Sequence, residues 1–135
     1  MLEAPDDITS AAMIAHDQAY APYSRFRVGA AVRDEAGRVH FGCNVENAAY
    51  PLGTCAEAGA IAEMVVNGGR KITEVAIAGR GSELVTPCGG CRQRLREFAG
   101  PETLIHICDE TGKLRRTFTL AELLPASFGP ENLVR

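Results

Sequence analysis

A lone cysteine and a Cys-x-x-Cys pair, each at the start of a helix, most constrain what this chain can fold into. Cys88-Gly89-Gly90-Cys91 follows Pro87, and proline favours the first turn of a helix because its missing N–H is not needed there. Cys55 follows Thr54 at the start of another helical stretch. A strand–helix–strand–helix order puts both helix starts at one sheet edge, so Cys55 can meet Cys88 and Cys91 despite their separation in sequence. The positive ends of two helices favour thiolates, the form that binds metal. Three sulfurs leave one tetrahedral position open, the pattern of catalytic zinc, whereas four close it, the pattern of structural zinc. By itself the Cys-x-x-Cys is compatible with a redox pair, half a zinc site or chance.

The surrounding pattern supplies that order. Residues 7–21 form a helix capped by Asp6 or Asp7 and stopped by Pro22, with Ile8, Ala11, Ala12, Ala15 and Ala19 as a small-residue face. Phe26–Arg33 and Val39–Glu46 alternate apolar and polar residues around an Asp34-Glu35-Ala36-Gly37 turn, which predicts an antiparallel hairpin. A helix from Thr54 to about Asn67, a strand at Glu74–Ala78, a helix from Pro87 to about Phe98, strands at Thr103–Cys108 and Leu114–Thr119, and a last helical turn at Leu120–Leu124 complete the chain. The expected fold is α/β, a three-layer α/β/α sandwich on a mixed five-stranded sheet, in one domain over residues 1–135.

Five cysteines are an odd number for a disulfide framework, and residues 1–7 are acidic and do not resemble a secretory signal. A cytoplasmic location with reduced thiols is therefore expected. No apolar run approaches the roughly 18 residues that a membrane span needs. A net charge of -3 and the absence of Trp argue against polymeric nucleic acid as a partner. The candidates for a fourth metal ligand are Cys43, His40, His106 and Cys108. Strand alternation makes Cys43, His106 and Cys108 core residues, and His16 and His40 are expected to be exposed. Glu57 has two readings. Thr54-x-x-Glu57 fits a capping box, and a carboxylate beside the sulfur triad fits a proton carrier.

Cys55-Ala56-Glu57 with Pro87-Cys88-Gly89-Gly90-Cys91-Arg92-Gln93 resembles the zinc deaminase signature in its three-cysteine form. Tyr23–Ala31, Gly42–Tyr50 and the tail around Leu123-Leu124-Pro125 and Phe128-Gly129-Pro130-Glu131 are similar to the small homotetrameric cytidine deaminases, and the likeness runs from about Ala19 to Leu133. The resemblance implies hydrolytic deamination of cytidine and 2'-deoxycytidine in pyrimidine salvage, with one Zn2+ per subunit on Cys55, Cys88 and Cys91 and Glu57 moving protons. It implies substrate binding by Phe26, Asn44, Glu46 and Ala56, and by Ala49, Tyr50 and Phe128 reaching a neighbouring subunit's site. Asn44 and Glu46, two apart on a strand, point to one face whatever the family, and an amide beside a carboxylate suits a sugar hydroxyl.

One position departs from the resemblance. Many three-cysteine members carry an arginine directly after Cys-Ala-Glu, and here that residue is Ala58. Three thiolates around one dication keep an excess negative charge, which helix-start N–H groups or Arg92 are expected to offset. The alternatives to a cytidine deaminase are an enzyme for a modified cytosine nucleoside such as blasticidin S, and a non-catalytic module with structural zinc.

Overall fold

The computed structural model describes residues 2–133. In chain order the elements are α1 (Ile8–Asp17), β1 (Val28–Asp34), β2 (Val39–Cys43), a 3-10 turn (Tyr50–Leu52), α2 (Ala56–Val66), β3 (Ile72–Gly79), α3 (Gly89–Arg96), β4 (Leu104–Cys108), β5 (Leu114–Thr119), α4 (Leu120–Leu123) and a 3-10 turn (Pro130–Asn132). The strands form one mixed sheet in the order β2-β1-β3-β4-β5. β3 and β4 run parallel, and the other neighbouring pairs are antiparallel.

Alternation along the strands builds two cores. Ala31, Ala76, Ala78 and Cys108 face α1 and meet Ile8, Ala11 and Ala12. Val32, Val75, Ile77, Ile105 and Ile107 face the other way, against Ala56, Ala60 and Met64 of α2 and Leu95 of α3. Small residues on both sides let α1 approach closely, as its alanine stripe predicts. The expected three layers are present, with α2 and α3 sharing one face so that their N-termini open at the same edge.

α2 lies directly on β2. A Cβ built on Gly42 would sit 2.4 Å from the Ala60 backbone nitrogen and 2.6 Å from the Gly59 carbonyl carbon. Both neighbours are backbone and cannot rotate aside. Gly42→Ala is therefore expected to push α2 off the sheet, lowering stability by about 3 kcal/mol or more in chemical denaturation. Because α2 carries Cys55 and Glu57, zinc retention should fall as well.

The elements differ from expectation at particular ends. α1 stops at Asp17, four residues early, because the Gln18 and Ala19 N–H groups turn back to Ala15 and His16 and Tyr20 bridges to Val45. β2 ends at Cys43, and Val45 makes only isolated bridges to Tyr20 and Thr54. His16 and His40 are buried rather than exposed. His40 turns inward because Asp34, itself buried at the hairpin turn, accepts from its Nε2 at 2.8 Å and also from the Ala36 and Arg38 N–H groups. His106 is half-buried, with its ring nitrogens hydrogen-bonded to Thr117 at 2.9 Å and Glu74 at 2.7 Å.

Candidate metal centre and cleft

Cys55 and Cys88 are the N-cap residues of α2 and α3, both in extended conformation, and Cys91 lies in the first turn of α3. The sulfurs of Cys55, Cys88 and Cys91 lie within 4.8 Å of one another. Among the described residues this is the one group of three or more such side chains. Cys43, His40, His106 and Cys108 stay outside it. Burial pushes the Cys43 thiol up, and it pushes the Cys108 thiol up to about 11, with Asp109 and Asp7 adding to the effect, so neither is a ready thiolate.

The donor set suits zinc. Cys91 is fully buried, Cys55 partly buried and Cys88 exposed. Burial, followed by the nearby charges of Glu57 and Cys55, drives the Cys91 thiol far above its usual range. Burial also raises Cys55, whereas the Cys91 backbone N–H lowers Cys88. Three converging sulfurs, two of which resist ionising without a counter-charge while the third ionises readily, are what a thiophilic dication would stabilise.

Glu57 sits in the first turn of α2 and is only 4% exposed. The capping-box reading does not hold. The N-cap is Cys55, with no side-chain cap bond, while Thr54 pairs its backbone with Val45. A side-chain capping box is instead formed by Thr119 with Glu122 at the start of α4. Burial pushes the Glu57 carboxyl above its ordinary range, opposed by its own backbone N–H, by Cys91 and by the charge of Arg94. A carboxylate poised this way is closer to neutral pH and better matched to carrying protons.

The triad opens on a cleft of about 360 Å³ lined by Phe26, Asn44, Glu46, Tyr50, Cys55, Ala56, Glu57 and Cys88 among others. Val85 and Thr86, just before Pro87, complete its wall, and no sequence motif marks them. A second hollow of about 420 Å³ shares Glu46, Tyr50 and Gly53 and adds Tyr23 and Ser24. Ala49 and Phe128 do not line this cleft. Ala49 precedes the 3-10 turn, and exposed Phe128 sits on a tail strapped to α3 by Gln93 Nε2 donating to its carbonyl at 2.9 Å.

The two polar residues predicted to face a sugar also organise the segment from Tyr23 to Val28. Asn44 accepts from the Val28 N–H at 2.9 Å and donates to the Phe26 carbonyl at 2.9 Å. Glu46 accepts from the Tyr23 and Ser24 N–H groups at 2.9 and 3.1 Å and from the Ser24 hydroxyl. These bonds hold the Glu46 carboxyl below its usual range, the Ser24 hydroxyl first. Ser24 Oγ also accepts from the Phe26 N–H at 3.0 Å, which steadies the left-handed Arg25 between them (φ 57°). The sequence pattern gives no sign of this role for Ser24.

Arg92 does not reach the sulfurs. Its guanidinium donates to the Pro87 and Leu123 carbonyls at 2.7 and 2.8 Å and to Thr86 Oγ1 at 3.1 Å. The arginine at the sulfurs is Arg94, 3.7 Å from Cys91 Sγ. Its position three residues after Cys91, on the same helix face, was a usable signal.

Comparison with known proteins agrees with the geometry. The profile of the cytidine and deoxycytidylate deaminase zinc-binding region matches residues 3–107. The chain is 47% identical over 118 residues to a cytidine deaminase of Mycobacterium tuberculosis, covering 87% of this chain and 84% of that one. It is 40% identical over 119 residues to one of Sporosarcina psychrophila, covering 88% and 87%. The crystal structure of cytidine deaminase from Burkholderia pseudomallei superposes with a TM-score of 0.82 at 38% identity, covering 90% of this chain and 96% of that one. A three-sulfur centre with a buried glutamate at the meeting of two helix ends, together with these likenesses, makes the chain a member of the zinc-dependent cytidine and deoxycytidylate deaminase family.

Proposed function

We propose that the protein hydrolyses cytidine and 2'-deoxycytidine to uridine and 2'-deoxyuridine, releasing ammonia. The observation that carries this reading is the Glu57 carboxylate buried in the same cleft wall as a sulfur triad that lacks a fourth ligand among the described residues. Zinc bound by Cys55, Cys88 and Cys91 supplies the Lewis acidity that makes water nucleophilic near neutral pH. Glu57 does the proton work. It takes a proton from the attacking water and gives it to ring N3 as oxygen adds to C4. It then takes the proton left on that oxygen and gives it to the exocyclic nitrogen, so that the C4–N bond breaks and ammonia leaves.

The remaining residues orient the nucleoside. Asn44 Nδ2 keeps a second N–H for a sugar hydroxyl, and the Glu46 oxygens keep lone pairs beyond those used by Tyr23 and Ser24. Phe26 offers an apolar face to the pyrimidine, and Ala56 borders the ring next to Glu57. Ala49, Tyr50 and Phe128 serve a neighbouring subunit in a homotetramer. Supporting this, Tyr50 and Phe128 are 76% and 57% exposed and neither Ala49 nor Phe128 contributes to the chain's own cleft.

The test is ammonia release from a panel of cytidine, deoxycytidine, cytosine and blasticidin S. Turnover of the first two supports the reading, and turnover of blasticidin S alone overturns it. For the assembly, light scattering should give four times the 14.4 kDa chain mass. Phe128→Ala should raise KM for cytidine by about tenfold, the loss of one apolar contact of about 1.4 kcal/mol. A monomer with full activity would contradict shared sites.

A further inference from the structure

We propose that Arg94 is the positioning residue that offsets the negative charge of the metal centre, by donating a hydrogen bond to the Cys91 sulfur. Arg94 lies three residues after Cys91 on α3, and a long helical side chain leans toward the helix N-terminus. Its Nη1 comes within 3.7 Å of Cys91 Sγ. On the way it passes 3.4 Å from where a Cβ on Gly90 would stand, so the glycine leaves room for the guanidinium.

The other arginines of α3 are engaged elsewhere. Arg92 holds backbone carbonyls and Thr86, while Arg96 binds Ser127 and Glu131 on the tail. Arg94 makes no ion pair among the described residues, and the sulfur is its one hydrogen-bond acceptor there. It borders a hollow of about 330 Å³ together with Ala58, Ile61 and Phe98. Ala58 directly follows Glu57, so a small side chain there keeps open the space that the guanidinium uses.

Three thiolates around one dication carry an excess negative charge that makes the metal a poorer Lewis acid. A charged donor on one sulfur withdraws part of that charge, and such outer partners commonly change affinity or activity by about 10–100-fold.

The experiment uses the full-length protein loaded with Co2+ or Zn2+, as wild type, Arg94→Gln, and the double variant Ala58→Arg with Arg94→Gln. The first readout is the thiolate-to-cobalt charge-transfer band. Losing a donor makes the sulfur more electron-rich, so Arg94→Gln should move the band to longer wavelength. The second is kcat for cytidine with Zn2+, expected to fall about tenfold or more with KM within about twofold. The double variant, which returns a guanidinium to the same hollow from α2, should recover both. An unmoved band in Arg94→Gln overturns the proposal, as does a lower oligomer mass that accounts for the lost rate. The rate readout rests on the deaminase reading and the band does not, so wild-type protein inactive on cytidine would sink that reading while the band still decides this one.

Discussion

Glu57→Gln is expected to lower kcat for cytidine by about 10²–10⁴-fold, the range for removing a general acid–base group. The replacement has the same shape and still fills the buried site, so bound zinc should remain at one ion per chain. KM should change far less than kcat, because the amide can still hydrogen-bond to the substrate but cannot take a proton from water and pass it on. Stability should not suffer. Burial disfavours the charged form of Glu57, and the neutral amide avoids that cost. The measurements are steady-state kinetics, metal analysis and Tm on the same preparation. Turnover near the wild-type rate, with zinc in place, would remove Glu57 from the mechanism.

Stripping the metal should produce the other large effect. Dialysis against a chelator is expected to abolish activity and lower Tm by more than about 5 °C, with both restored by Zn2+. Without the cation, the three sulfurs that lie within 4.8 Å of one another lose the ligand that ties Cys55 to Cys88 and Cys91, and binding free energy that favours the folded state is lost with it. The site also joins α2 to α3, so its loss loosens the edge where both helices begin. Cys91→Ala should mimic the apo state without recovery on adding Zn2+. Cys43→Ala should keep its zinc, because that sulfur lies outside the cluster. A chelated protein with unchanged activity would contradict a role for metal in catalysis.

The parts of the molecule legible in the sequence are those governed by local pattern. The alanine stripe of α1 predicts a close helix–sheet contact, and Gly29 beneath it, whose Cβ would meet the Ala12 carbonyl at 2.0 Å, shows how close. The apolar run Val75–Ala78 predicts a strand buried on both faces, and β3 lies at the centre of the sheet. The convergence of Cys55, Cys88 and Cys91 follows from helix starts sharing one sheet edge. What the sequence hid depends on tertiary partners. His40 reads as the polar side of a strand, yet a buried Asp34 turns it inward. Thr54-x-x-Glu57 has the spacing of a capping box, but backbone pairing of Thr54 with Val45 shifts the cap to Cys55 and leaves Glu57 for the cleft. Arg92, the arginine expected to offset the thiolate charge, is tied to carbonyls around Pro87 and Leu123, and Arg94, one helical turn after Cys91, is the one aimed at sulfur.

The account stands on a metal centre with three sulfur ligands and one exchangeable position. X-ray absorption at the zinc edge of the metal-replete protein tests it directly. The expected spectrum has three sulfur neighbours at about 2.3 Å and one lighter neighbour at about 2.0 Å, the latter replaced when a tight-binding inhibitor is added. Four sulfurs, or cysteines bridged to one another with no zinc present, would contradict it.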